Sequence, residues 1–265
     1  MKFFTKHLQQ GKLIDNFDGL FGNALLPMKK TSQLATLALL AAGLRVASAA
    51  DITGTITLNG TPPPEIVNTD ISADANCGKL HSGPVMTTFF VVGSNKGLKD
   101  VVVYLADVKG KSTGGSAAPF ILDQRGCEYA PYVFAVQTGQ KIIVKNSDPV
   151  THNVHVTPAA VGNDEQNMLQ PAGDPDQTLV FASAEDFITF KCDVHAWMRS
   201  YVTVVDNPWF AVTDADGKFK IANVPPGKYT VQAMHRKASG GKPVTKDLEV
   251  KDASATLDFV LDAPQ

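Results

Sequence analysis

Long apolar runs, a strong charge of one sign and cysteine are all in short supply in this 265-residue sequence. Its most apolar stretch, Leu34 to Leu44, covers about 11 residues, whereas a permanent membrane span needs roughly 20. No membrane span is therefore expected. The 24 Lys/Arg stand against 26 Asp/Glu, a formal net charge of −2. Six of those basic and two of those acidic residues fall within the first 50, so the remainder carries 18 against 24, a net −6. Such a surface repels nucleic-acid phosphates, which excludes nucleic acid as an expected partner. There is no Gly-rich phosphate loop, no paired-carboxylate motif, no haem attachment sequence and no tandem repeat. The cysteines number three: Cys77, Cys127 and Cys192.

What is present points to strands. The sequence has 21 Gly and 16 Pro, and its apolar runs are short and rich in Val, Ile, Phe and Thr. That mixture reads as many short strands joined by turns, an all-β protein of one or two domains.

At the amino terminus, Met28-Lys29-Lys30 precedes the short apolar run, and Ala47-Ser48-Ala49-Ala50 follows it. A basic start, a short apolar core and small residues at the exit have the form of a secretory signal over 28–50, cleaved after Ala49 or Ala50. Residues 1–27 do not fit such a signal, and Met28 is the expected initiator. The expected location is the periplasm or the cell exterior, which also permits disulfides.

The chemistry concentrates in Phe187-Ile188-Thr189-Phe190-Lys191-Cys192-Asp193-Val194-His195-Ala196-Trp197-Met198. Alternation predicts a strand with Ile188, Phe190 and Cys192 on its inner face, followed by a loop that offers His195 and Met198. Tyr201 to Val205 resumes a strand. Upstream, Gln140 to Asn146 is a strand closed by the turn Ser147-Asp148-Pro149, and Val150 to Val156 follows. Period two puts His152, Val154 and Val156 on one face, and His155 on the other as an exposed strand residue. His152, Cys192, His195 and Met198 are therefore the expected ligands of one metal ion. Two imidazoles, a thiolate and a weak thioether suit a single type 1 copper that cycles between two oxidation states. The metal's own charge keeps the thiol ionised. A lone Cys-x-x-His would read as a buried cysteine with a chance histidine; Met198 and His152 argue against that. Zinc is disfavoured because a thioether is a poor ligand for it. A Cys/His nucleophile lacks an orienting third group.

The Cys-x-x-His-x-x-Met loop, its preceding strand and the upstream His152-Asn153 resemble the cupredoxins, in particular the amicyanin form of the ligand loop. The resemblance covers roughly 119–206 and implies a β-sandwich. It also implies that the Asn153 N–H donates to the Cys192 sulfur, that partners are transient redox proteins, and that there is a link to methylamine-type oxidation. The polar segment 158–177 departs from the pattern, and the resemblance assigns it no strand.

For Cys77 and Cys127, three readings stay open: a disulfide, a second metal site using Cys77 with His81 and Met86, or free thiols. In the carboxy-terminal part, Asp216-Gly217 predicts a hairpin turn, Phe219 and Ile221 alternate with lysines, and Pro226-Gly227 makes a further turn. The Asp-Gly-x-Phe…Pro-Pro-Gly-x-Tyr pattern resembles carboxypeptidase regulatory-like modules, small prealbumin-like sandwiches with no catalytic role. Its missing strands are expected at Ile52–Leu58 and Lys99–Leu105, so that the copper segment is nested within this sandwich or packed on it. Gly110–Ala118 and Asp206-Asn207-Pro208 would be the connectors. The expected divisions are 1–50, 51–118, 119–206 and 207–265. Met168 and His235 are expected at the surface.

The function expected from these residues is an exported carrier of single electrons, not an enzyme, with Trp197 and the exposed edge of His195 as the electron exit. The alternatives are an exported copper-binding or storage protein, or an adhesion module whose sandwich recognises a glycan or a protein.

Overall fold

The computed structural model describes residues 48–251 and 253–265. The upstream extension and most of the expected secretory signal lie outside them. Among the described residues the chain is all-β, with one short α-helix, and no helix is long and apolar enough to cross a membrane.

The chain opens with β1 (Ala50–Asn59), a short helix α1 (Thr69–Ala73) and β2 (Val102–Leu105). Nine strands follow: β3 (Phe120–Gln124), β4 (Tyr129–Ala130), β5 (Val133–Gln137), β6 (Ile142–Asn146), β7 (His152–Thr157), β8 (Gln166–Gln170), β9 (Gln177–Leu179), β10 (Glu185–Lys191) and β11 (Arg199–Val205). The last six are β12 (Phe210–Val212), β13 (Lys218–Val224), β14 (Gly227–Met234), β15 (Val244–Val250), β16 (Ala255–Thr256) and β17 (Phe259–Asp262).

These strands form four sheets, which pair into two sandwiches. The inner sandwich sets β5-β11-β10-β7-β8 against β4-β3-β6-β9. In the outer sandwich β1 pairs with β13, β16 and β17, and faces the sheet β12-β2-β14-β15. β1 and β2 thus pair with strands from the far end of the chain, and the inner sandwich is inserted between β2 and β12. Alternation explains the cores: Ile188 and Phe190 on β10, with Val154 and Val156 on β7, are buried in the inner one. Burying a side chain of this kind contributes about 1.5–3 kcal/mol. Ile52, Ile56 and Leu58 of β1 pack with Phe219, Ile221 and Phe259 in the outer core.

The two connectors cross side by side. Gly110 N donates to an Asp206 carboxylate oxygen (2.6 Å), and Asn207 Nδ2 donates to Leu105 O (2.9 Å) and Val108 O (3.0 Å). Ser112 and Thr113 then bond to Thr138 and Gln137, so the Gly/Ser-rich stretch is strapped to the inner sandwich. A third apolar cluster of Val102, Val133, Ala135 and Tyr201 fills the contact between the sandwiches.

The structure corrects several sequence expectations. The turn at Asp216-Gly217 forms, with Gly217 at φ +74°, but it makes no hairpin: β12 and β13 belong to opposite sheets. The polar segment 158–177 contains β8, which pairs with β7 and half-buries Met168. Its inward positions include the polar Gln166 and Gln170 and its outward ones the apolar Leu169, which hides the alternation. His235 is buried, not solvated. Its Nδ1 accepts from the N–H groups of Lys237 and Ala238, and its ring lies 5.2 Å from that of Phe90.

Candidate metal centre

β10 lies between β11 and β7 in one sheet, and this arrangement builds the site. The β10–β11 ladder pairs Lys191 with Arg199, so residues 192–198 must close in a tight loop. Cys192 N donates to Met198 O (3.2 Å) and Met198 N to His195 O (2.9 Å). Three residues spaced by three are thereby turned inward. On the other side, β10 pairs with β7 through Phe190 with Val156 and Lys191 with His155, which sets the start of β7, His152, beside the loop. His152, Cys192, His195 and Met198 are all buried.

The donor atoms converge. Nδ1 of His152 lies 3.0 Å from Nδ1 of His195, which lies 3.7 Å from Cys192 Sγ. One ring nitrogen from each histidine and the sulfur all fall within 4.8 Å of one another. Two imidazole nitrogens facing each other at 3.0 Å need a proton or a cation between them to offset lone-pair repulsion. Nitrogens bound at about 2.0 Å and a sulfur at about 2.3 Å from one ion are compatible with these separations. Met198 is buried in the same core cluster as Cys192.

The surroundings fix the protonation of these groups. His152 Nε2 is 2.8 Å from Asp148 Oδ2, which fixes the tautomer with the proton on Nε2 and leaves Nδ1 free as a donor to a metal. Burial pushes His152 down, but hydrogen bonds to Asp148 and Cys192 outweigh it and hold the imidazole above its usual range. Burial raises the Asp148 carboxyl, and the bonds from His152 and from the N–H groups of Cys127 and Gly126 bring it below the ordinary value. Burial also opposes ionisation of Cys192; hydrogen bonds from His152 and from the N–H groups of His195, Asn153 and Val194 reverse that and lower the thiol. His195 is lowered by burial and by its neighbour His152. Cys192 and His195 are thus shifted toward the forms that bind a soft metal, whereas His152 is shifted toward the protonated form, whose Nδ1 proton a metal ion would displace.

Two expectations need correction here. His195 exposes little of its ring: it is 7% exposed, packed against Trp197 (ring centroids 5.1 Å) and close to the sulfurs of Cys77 and Cys127. His155 does lie on the opposite face from His152, but it is not free in solvent. Its Nδ1 and Nε2 each lie 2.7 Å from a carboxylate, of Asp193 and Glu165 respectively. Cys77 and Cys127 are disulfide-bonded, and His81 contacts Gly126 O (2.7 Å) through Nε2.

Sequence reasoning missed Asp148, Tyr129 and the Asn153 side chain. Asp148 read only as a turn residue; its position four before His152 was the available signal. The Tyr129 hydroxyl donates to the carbonyls of Asn153 and Lys191, tying the two strands that carry His152 and Cys192. The side-chain oxygen of Asn153 accepts from Asp193 N (2.9 Å), linking the residues that follow His152 and Cys192. Nothing local in the sequence marks either contact.

No protein-family model and no curated protein sequence matches the chain. Solved structures that match include a Cu-containing nitrite reductase from Thermus scotoductus SA-01, at 16% identity over 38% of this chain, with a TM-score of 0.30. That match spans 25% of the nitrite reductase. Another is an oxidized proline-to-glycine variant of amicyanin, 18% identical over 38% of this chain and 97% of that one, TM-score 0.30. A third is the Cu(I) form of a methionine-to-alanine variant of amicyanin, 18% identical over 40% of this chain and 98% of that one, TM-score 0.30. The likeness is partial, confined to about two-fifths of this chain. None of these matches supports the regulatory-like resemblance of the outer sandwich.

Proposed function

We propose that this chain is a type 1 copper protein that carries single electrons, with His152, Cys192, His195 and Met198 holding one ion. The observation that carries the reading is the convergence of His152, Cys192 and His195 donor atoms within 4.8 Å in a buried pocket. Bound copper would supply a one-electron couple between its two common oxidation states. The chain's own part is rigidity. Asp148 holds the ring of His152, the Cys192–Met198 bond closes the loop, and Asn153 joins the two strands that carry the ligands. Such a frame accepts either oxidation state with little rearrangement. Four protein donors leave no open coordination position, which favours a carrier over an enzyme. Apolar Phe190, Val154 and Val156 next to the site favour the less charged, reduced ion.

The Cys77–Cys127 disulfide supports an exported chain, since such bonds persist in oxidising compartments. Transient redox partners would meet the site through half-buried Trp197, whose ring lies against that of His195. The test is addition of copper(II) to the full chain, read by visible and paramagnetic-resonance spectra and by reversible one-electron titration. An intense blue charge-transfer band that disappears in Cys192→Ala is expected. A colourless chain that takes zinc in preference would overturn the reading.

A further inference from the structure

The disulfide is more than a staple between loops, because it forms part of the wall of the donor cluster. Cys77 and Cys127 are fully buried, and their sulfurs with a ring nitrogen of His195 all lie within 4.8 Å of one another. Cys127, Asp148 and His152 form another such group. Cys127 thus stands within donor distance of both histidines of the proposed copper centre. Its backbone is tied to the same groups: the Cys127 N–H donates to Asp148 Oδ2 (2.7 Å), and the Cys127 carbonyl accepts from Trp197 Nε1 (3.0 Å). A disulfide sulfur is a poor metal donor, whereas a thiolate is a strong, soft one that selects cuprous ion.

We propose that Cys77 and Cys127, once reduced, form with His195 a second buried site that takes a cuprous ion. The disulfide is then the gate of that site: closed, it has no capacity; open, it adds two thiols to a cluster that already holds one thiol and two imidazoles. Opening consumes a dithiol. One thiolate of the reductant attacks a sulfur of the disulfide and forms a mixed disulfide, and its second thiol displaces the remaining protein thiol. The chain gains two thiols, and the reductant leaves as its own disulfide. Each thiol that then ligates copper gives up its proton to solvent, and so does the remaining N–H of His195 when its ring is shared between the two ions. A groove of about 370 Å³ lies near this region, lined by Glu128, the neighbour of Cys127, and by Ala196 and Trp197, the neighbours of His195. The inference goes beyond the carrier reading; it shares His195 with that centre but does not need Cys192, so the two can fail separately.

The test is an anaerobic titration of the full chain with cuprous ion against a chromogenic cuprous chelator, before and after treatment with a dithiol that is then removed. The oxidised wild-type chain is expected to take one equivalent and the reduced chain two. Cys192→Ser is expected to take none when oxidised and one when reduced. The double variant Cys77→Ser, Cys127→Ser is expected to take one in either state. Copper X-ray absorption on the reduced Cys192→Ser chain should report two sulfur neighbours, which tests the site without relying on the double variant. The proposal is overturned if the reduced wild-type chain, with three titratable thiols, still takes one equivalent. It is equally overturned if the second equivalent survives in the double variant, if that copper has no sulfur neighbour, or if the disulfide resists the dithiol in the folded chain. An oxidised wild-type chain that takes no copper, beside a reduced Cys192→Ser chain that takes one, would sink the carrier reading and leave this one standing.

Discussion

At the residue scale, Asp148 carries the most information about the centre. Its carboxylate is buried and receives three hydrogen bonds: from His152 and from the N–H groups of Gly126 and Cys127. Removing its charge while keeping its shape should weaken the donor strength of His152. Asp148→Asn is expected to lower copper affinity by about 10- to 100-fold. It should also raise the reduction potential, because a negative charge beside the site favours the more highly charged oxidised ion. Competition with a copper chelator and a potentiometric titration check the two effects. His235 offers a pH test remote from the proposed copper centre. Burial, with Arg236 and Lys237 nearby, depresses its pKa to about 4. Between about 6.5, the unperturbed value, and about 4, the unfolded chain binds a proton that the folded chain does not. Stability should therefore fall as pH drops through that window, by on the order of 3 kcal/mol, and level off below it. Urea midpoints measured from pH 7 to 4 should show this slope in the wild-type chain. His235→Asn, which keeps an acceptor for the two N–H groups, should lose most of it.

At the element scale, the turn before β4 decides how the site is braced. Gly126 and Cys127 both adopt left-handed backbone, at φ +68° and +54°, which turns both N–H groups onto Asp148. Such a conformation costs a non-glycine residue of order 1 kcal/mol or more. At Cys127 the disulfide and the Asp148 bond hold it. At Gly126 a Cβ would also meet the His81 ring at 3.0 Å. Gly126→Ala is accordingly expected to destabilise the fold by about 1–3 kcal/mol. Chemical denaturation checks that figure, and a loss of copper affinity should accompany it, since the turn positions Asp148.

At the scale of the whole molecule, insertion couples the two sandwiches. The outer one is made from strands on both sides of a stretch of roughly 100 residues. If the inner sandwich unfolded alone, holding β2 against β12 would require closing a flexible loop of that length, a cost of about 4 kcal/mol. The apolar contact around Val102 and Tyr201 adds to the coupling. The two tryptophans report on the parts separately: Trp197 packs in the inner core and Trp209 in the outer. Fluorescence of Trp197→Phe and Trp209→Phe chains in urea should give coincident midpoints. Separated transitions would show that the sandwiches unfold independently.

Much of this was legible locally. Period-two alternation placed Ile188, Phe190 and Cys192 on one buried face and His152 with Val154 and Val156 on another, because neighbouring side chains on a strand point to opposite sides of its sheet. The three-residue spacing in the loop likewise announced His195 and Met198 as a group. Strand β8 and buried His235 were not legible: one is masked by polar residues, and the other is buried by packing that its neighbours in sequence do not reveal.

The all-β character, the inward facing of His152 and Cys192 and the strands that deliver them follow from the sequence alone, since these depend on neighbours a few residues apart. Only the tertiary structure decided which distant groups meet. The β7–β10 pairing brings His152 to the Cys192–Met198 loop, and the turn after β6 brings Asp148 to His152. The disulfide brings Cys77 to a histidine more than a hundred residues away. Such contacts follow from strand order and sheet packing, which local periodicity does not encode.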